Sequence, residues 1–483
     1  MRHFILLLIL SCTFITQGQE IVSSYSIDKI HRNALPLHYI DNDSLLHSLF
    51  LERKELFLFN HDENLQITDH ENYEIPKRGH DNVIGHVFTK DNQVQVFYAN
   101  NRYNKFEILD IDPMSRNSVI QEVDLKLKKQ TFLHGFSYNN HFYFLTIDFN
   151  ANFVLFEFDG ASYTVSSFPA SQLKYKESKT ARSFFVNEAL KSGSQSQTGN
   201  ATVEILEENL PNSIEQVSTP SKIVKRGDKL FIIVDLDYQR TDIYEISLAD
   251  KSMRVNSYDQ PFSDFDNDSS VKSNSYLHED KVYQVMVSKE QLVWSVKDYD
   301  SKKELKKFTV QRDDDDIPFA NTPITQLGGA YDNYRELEKT KQLLRKMSNS
   351  VPGISVHRID GQLEVTIGAS KEVMNAGLMI VSGIAAGAAG TVGNGNNFYV
   401  DMTYNPFFTS YYSDVNSKSV YVIGLFNDDI NHMIGEISNN AWDKIESYVE
   451  DKEPYQEDIF EYRGKIYYSY YNREADQYIL IRI

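Results

Sequence analysis

A short apolar run, a two-residue polar turn and a second run of alternating apolar and polar positions recur along this chain as one unit. The turns are Arg53-Lys54, Asp91-Asn92, Asn139-Asn140, Gly227-Asp228, Glu279-Asp280, Asp360-Gly361, Asn416-Ser417 and Arg463-Gly464. Each introduces a strand rich in aromatic and β-branched residues, such as Val94-Gln95-Val96-Phe97-Tyr98, Phe142-Tyr143-Phe144-Leu145 or Ile466-Tyr467-Tyr468-Ser469-Tyr470. Asn, Asp and Gly tolerate the positive φ of tight hairpins, and aromatic and β-branched residues suit a pleated surface. Counted from the first residue of each turn, the steps are 38, 48, 88, 52, 81, 56 and 47. Five of them lie between 38 and 56 and two are near double, as a degenerate repeat or an insertion would give.

Most units continue into a third strand, for example Phe153–Phe158 after Asn150-Ala151-Asn152 and Ile243–Ile246 after Gln239–Asp242. Three or four antiparallel strands at this period predict an all-β chain, a β-propeller of about seven or eight blades. Blades bury both faces, which accounts for aromatics on both sides of a strand. Tandem β-sandwiches are the alternative. The last segment, Asp458 to Ile483, has room for three strands, so a strand near Glu20–Ile27 is expected to complete that blade. Residues 172–219 and 313–350 read as insertions. The second is expected to hold a helix with Asp332 as N-cap and Tyr334, Leu337, Leu344 and Met347 at helical spacing. Another short helix is expected from Asn440, with Trp442, Ile445 and Val449 on one face.

Charge and composition narrow the function classes. Lys and Arg total 49 against 68 Asp and Glu in 483 residues, a net charge of −19. That balance argues against nucleic acid as a partner, because phosphate neutralisation needs clustered cations. Thirty Tyr and 29 Phe are far too many for a disordered chain. Arg2 and His3 followed by the apolar run from Phe4 to Ile15, with Thr16 and Gly18 before Gln19, have the layout of a secretory signal peptide spanning residues 1–18. The expected location is therefore outside the cytoplasm: periplasmic, secreted or associated with the outer membrane. Cys12 is the single cysteine. Cleavage after Gly18 would leave no thiol, whereas Ile9-Leu10-Ser11-Cys12 also resembles a lipoprotein processing site that would lipidate Cys12.

Candidate chemistry is sparse. Asp264, Asp266 and Asp268 are spaced like the start of a calcium loop, but Ser269 and Ser275 stand where an EF-hand needs Gly and Glu. A solvated acidic turn is the plainer reading there, as it is for Asp313–Asp316, and no other cofactor is expected. Between Glu372 and Asp401 no charge occurs, and Ala376–Asn396 is rich in Gly and Ala. This uncharged loop, residues 376–397, is expected to be a buried apolar connection or a contact surface for a partner or membrane through Leu378, Ile380 and Ile384, and not a membrane span. His47, His86 and His134 precede or open repeated hairpins and read as hydrogen-bonded strand histidines. No zinc pair, Gly-x-Ser-x-Gly or phosphate-cradling loop is present. Paired carboxylates for glycoside chemistry meet in space, and a sequence does not expose them.

In repeat rhythm the chain resembles the β-propeller superfamily over residues 20–483. No subfamily signature accompanies the rhythm: kelch-type double glycines do not recur, and Ser-x-Asp-x-Gly-x-x-Trp boxes are missing. The signal segment and the Tyr/Asn/Lys/Asp-rich composition resemble uncharacterised envelope proteins of gram-negative bacteria. The expectation that follows is a non-catalytic binding or scaffold protein recognising a protein or glycan partner in the envelope. The alternative is a carbohydrate-active hydrolase or lyase using carboxylates at the propeller channel.

Overall fold

The alternating pattern forms strands throughout the computed structural model, which describes residues 20–27, 34–52, 54–76, 79, 82–100, 102–127, 130–148, 150, 152–169, 203–237, 239–261, 271–328, 334–372, 417–452 and 454–483. Among them are seven sheets. Blade 1 holds β2 (Leu35–Ile40), β3 (Leu46–Leu51), β4 (Glu55–His61) and β5 (Ile67–Glu74). Blade 2 holds β6 (Asn82–Phe88), β7 (Val94–Ala99), β8 (Phe106–Asp112) and β9 (Asn117–Val123). Blade 3 holds β10 (Gln130–Tyr138), β11 (His141–Asp148), β12 (Asn152–Asp159) and β13 (Ser162–Pro169).

Blade 4 has five strands: β14 (Glu204–Leu206), β15 (Ser221–Arg226), β16 (Lys229–Asp237), β17 (Arg240–Ser247) and β18 (Ser252–Asp259). Blade 5 holds β19 (Lys272–His278), β20 (Lys281–Val287), β21 (Gln291–Asp298) and β22 (Glu304–Gln311). Blade 6 is built from β25 (Val351–Ile359), β26 (Gln362–Glu372) and β27 (Ser417–Phe426), flanked by β23 (Ile324–Gly328), β24 (Arg335–Leu337) and β28 (His432–Met433). Blade 7 orders β29 (Pro454–Tyr462), β30 (Lys465–Asn472) and β31 (Gln477–Arg482) beside β1 (Glu20–Ser26).

The sheets close into a ring, so the described residues form a seven-bladed propeller. The first strand of blade 1, β2, packs against both β29 and β6; β6 packs against β10, and β19 against β25. Apolar clusters seal the seams between blades 1 and 2, 2 and 3, and 3 and 4, across blades 4 to 6, and between blades 7 and 1. Fourth strands carry the exposed edge. In β18 and β22 polar positions alternate outward while Tyr258 and Val310 stay buried. As expected from the short C-terminal segment, β1 pairs antiparallel with β31 from Glu20–Arg482 to Ser26–Gln477 and supplies the last blade's outer strand.

Repeat phase is where sequence and structure part. Six of the eight turns join first to second strands, with positive φ at Asn92, Asn139, Asn140, Gly227, Glu279, Asp360, Gly361, Arg463 and Gly464. Arg53-Lys54 instead joins the second and third strands of blade 1, whose first hairpin turns near Ser44 (φ 62°). Asn416 lies outside the described residues. Region 313–350 also differs. Residues 335–337 form β24 instead of a helix, and Tyr334 is exposed. Helix α2 (Thr340–Ser348) starts later, with Lys339 at its N-cap position, and buries Leu343, Leu344 and Met347; Asp332, the expected N-cap, lies outside the described residues. From the same region β23 crosses to lie outside β27, so blade 6 receives its fourth strand before its first. Helix α3 (Ala441–Val449) starts at Asn440 as expected, with Asn440 Oδ1 accepting from Trp442 N and Asp443 N. A third helix, α1 (Ile214–Val217), was not expected.

The two faces of the ring are unequal. First-to-second turns, five of them two residues long, lie on one face, and blade-to-blade links leave from the other. The strands that precede residues 170–202, 262–270 and 373–416, which lie outside the described residues, end at the link face. Asp264, Asp266, Asp268, Leu378, Ile380 and Ile384 fall in these segments, and Cys12 also lies outside the described residues.

A fully buried ion pair within blade 4 is tied to blade 5 through Asn274 and Ser275. Lys222 Nζ donates to Asp235 Oδ2 (3.1 Å) and Asn274 Oδ1 (2.6 Å), and Asp235 accepts from Thr241 and Ser275. Removing one partner strands the other charge, at a cost of about 3–5 kcal/mol. Lys222→Ala should lower the unfolding free energy by that amount in urea titrations; a loss under about 1 kcal/mol would refute this role. Deleting residues 20–27 should lower the melting temperature by several degrees, because it exposes the β31 edge. An unchanged melting temperature would refute the closure.

Candidate functional site

The segment between β14 and β15 enters the ring. β14 pairs in parallel with the first strand of blade 4, Glu204 to Lys222 and Leu206 to Val224, and so lies inside it. The chain then passes Glu207–Asn212 and returns through α1. Ser213 caps that helix in a reciprocal box with Gln216. Along this path the segment touches four blades. Asn212 Nδ2 donates to Tyr276 Oη of blade 5 (2.8 Å), and Ser355 Oγ of blade 6 donates to Asn212 O (2.8 Å). Asn209 bonds Glu461 of blade 7, and Glu208 pairs with Arg226 of blade 4. Leu210 packs with Ile445 of α3 and with Ile459 and Tyr468 of blade 7, while Trp442 Nε1 donates to Pro211 O (2.8 Å). Gly353 gives α1 its seat: a Cβ there would stand 2.8 Å from Ser218 Oγ and 3.0 Å from Val217 Cγ2. Residues 204–218 are therefore a plug against blades 4 to 7.

Beside the plug stand ionisable groups that keep solvent contact: Lys225 and Glu461 are exposed, and His134, Tyr138 and Glu207 are partly so. His134 and Tyr138 come from β10, Lys225 from β15, Glu207 from the plug and Glu461 from β29. Lys225 Nζ stands 5.8 Å from the Tyr138 ring centre. Enclosure pushes the Glu207 carboxyl up to about 7, with Glu461 and Glu208 adding to the rise and Lys225 opposing it. Glu204 is pushed up to about 7 by burial against a hydrogen bond from Gln216. Burial, then the charge of Lys225, lowers His134 to about 4. Lys225 itself is lowered by burial, with Glu207 opposing. Among the described residues the side chains of His134, Lys225 and Glu207 make no hydrogen bond or ion pair within normal distance.

On the turn side of blades 5 and 6 lies a drier cluster. His357 and Glu364 face each other across β25 and β26, with Nε2 to Oε1 at 3.7 Å, and both are nearly inaccessible. Burial raises Glu364 to about 7, helped by Asp443, and lowers His357 to about 4, helped by His278. In both, desolvation favours the neutral form.

A third constellation has the layout of a nucleophilic triad. Ser469 Oγ lies 3.3 Å from His38 Nε2, and His38 Nδ1 lies 2.7 Å from Asp458 Oδ2. Tyr478 Oη also contacts Nε2 at 3.1 Å, and Phe460 stacks on the imidazole at 4.0 Å. Ser469 has no accessible surface, so a substrate carbonyl has no route to it. Its role is structural: Asp458, Ser469 and Tyr478 belong to blade 7, and His38 to blade 1. Of the histidines marked by the sequence, His47 bonds Asn60 Oδ1 (2.8 Å) and Asp41 Oδ2 (3.0 Å), and His86 Nε2 contacts His38 O (3.2 Å). Only His134 joins the open wall. Among the described residues no group of three or more His, Cys, Asp or Glu is placed to hold a metal ion, and no helix is long and apolar enough to cross a membrane.

No family model and no curated protein matches the chain. Solved structures with partial likeness include the WD40 domain of SCAP from fission yeast, 8% identical, covering 94% of this chain and 85% of that one with a TM-score of 0.29. Kuenenia stuttgartiensis hydrazine synthase is 7% identical, covering 94% and 98%, with a TM-score of 0.30. Dihydro-heme d1 dehydrogenase NirN in complex with DHE is 9% identical over 58% of this chain, with a TM-score of 0.26; the chain spans about half of that protein's length, 47%. At these scores the propeller assignment stands on the chain's own strand order.

Glu364 gives a pH test. Its folded value is raised above the unfolded one, so its contribution to stability is full below about 4.5 and is lost as pH rises through about 7. The loss corresponds to about 3 kcal/mol. Glu364→Gln removes the ionisation, so its unfolding free energy relative to wild type should rise by that order between pH 4.5 and 8 in urea titrations. A constant difference would show that Glu364 ionises normally.

Proposed function

We propose that this chain is an exported, non-catalytic binding or scaffold protein of the cell envelope that recognises a protein or glycan through the plugged bore. The observation that carries the reading is the plug. Residues 204–218 fill one side of the ring, and the other side keeps His134, Lys225 and Glu207 without mutual hydrogen bonds. Polar groups that bond water instead of one another are free to exchange that water for a ligand's hydrogen-bonding groups. Export rests on the N-terminal layout read from the sequence.

A second reading has its own support. Glu204 and Glu207 are both held near 7, and a carboxyl protonated near neutrality suits a general acid in glycoside chemistry. The two readings separate on turnover. For binding, immobilised protein should retain a partner from envelope extract, and Glu207→Gln/Lys225→Met should lose it at unchanged melting temperature. Equal capture by both proteins would overturn the reading. Release of nitrophenol from a panel of nitrophenyl glycosides, abolished by Glu207→Gln, would establish the enzyme instead.

A further inference from the structure

Building on the binding reading, we propose that the open wall of the bore is a site for a neutral saccharide, held by Glu207, Lys225, His134 and Tyr138. Charge decides the class. Around Glu207 stand Glu208 and Glu461, and the cations nearby are Lys225 and Arg226. An anion seated beside Lys225 meets three carboxyl groups. A cation seated beside Glu207 meets Lys225 and Arg226. Arg226 is already engaged by Glu208 and by the Glu279 carbonyl.

A neutral polyol meets neither opposition. Its hydroxyls donate and accept, so one hydroxyl can donate a hydrogen bond to the Glu207 carboxyl while its oxygen accepts one from the Lys225 ammonium. The neutral His134 imidazole offers one donor and one acceptor to the next hydroxyl. Glu207 sits near its midpoint at neutral pH, and hydroxyl partners satisfy it in either protonation state. Tyr138 adds a partly exposed aromatic side chain at the end of the same strand as His134, a surface for the apolar face of a sugar ring. The four groups come from blade 3, blade 4 and the plug, so the site exists only with the plug seated.

The test is an array of neutral, acidic and amino-sugar oligosaccharides probed with the full-length exported protein, alongside Glu207→Gln and Lys225→Met. Glu207→Gln keeps the shape and hydrogen-bonding length of the side chain, and matched melting curves show that both variants fold. Binding to neutral members, reduced roughly tenfold or more by either variant, is the expected result. Binding confined to acidic or amino sugars, binding unaffected by both variants, or no binding at all would overturn the assignment. Loss of extract capture in the double variant together with a silent array leaves the binding reading standing and removes the saccharide alone.

Discussion

A ring of sheets is fastened when its last blade is completed by the chain's other end. Here the antiparallel pairing of Glu20–Ser26 with Gln477–Arg482 meets that constraint. Each blade presses its faces against two neighbours, so opening one seam exposes apolar surface on both sides of it. The seam between blades 7 and 1 is accordingly fastened twice: by strand pairing at the rim, and near the bore by Asp458, His38, Tyr478 and Ser48 in a buried hydrogen-bonded line. Such lines fix geometry because each member is costly to leave unsatisfied. The same logic explains why a Ser, a His and an Asp at triad distances are structural here. Their burial serves the joint and removes the access that chemistry would need.

The blades were legible because hairpin chemistry is local. Asn139-Asn140, Asp360-Gly361 and Arg463-Gly464 sit in left-handed geometry, and the alternating strands beside them follow. Phase was less secure. Arg53-Lys54 resembles the other turns yet joins a different pair of strands, because any tight polar turn between apolar runs gives the same signal. Strand order was not legible at all in blade 6. Whether Ile324–Gly328 lies outside β27 depends on contacts nearly a hundred residues away.

The bore was the least legible part, since its members come from separate blades and only the ring brings them together. Two signals were nevertheless present. Ser213-Ile214-Glu215-Gln216 is a capping-box pattern that marks a helix inside what reads as an insertion. His38, His86 and His134 stand 48 residues apart, the same step as from the turn at Asp91 to that at Asn139, which places them at equivalent points of three successive inner strands. His38 was missed for want of that comparison.

The plug gives the two halves of the bore different dielectric surroundings, and their chemistry follows. Across β25 and β26, His357 and Glu364 are nearly inaccessible, and burial shifts both toward their neutral forms, so they act as polar packing. On the open wall Glu207 and Lys225 keep some water; burial raises Glu207 to about 7 and lowers Lys225 from its ordinary value. A group poised in this way responds to whatever supplies or withdraws a hydrogen bond, whereas a fully desolvated one does not. Responsiveness in the ring is thus concentrated where the plug stops, and the position of Glu207 at the plug's own turn makes its seating and the polarity of the open wall one and the same variable.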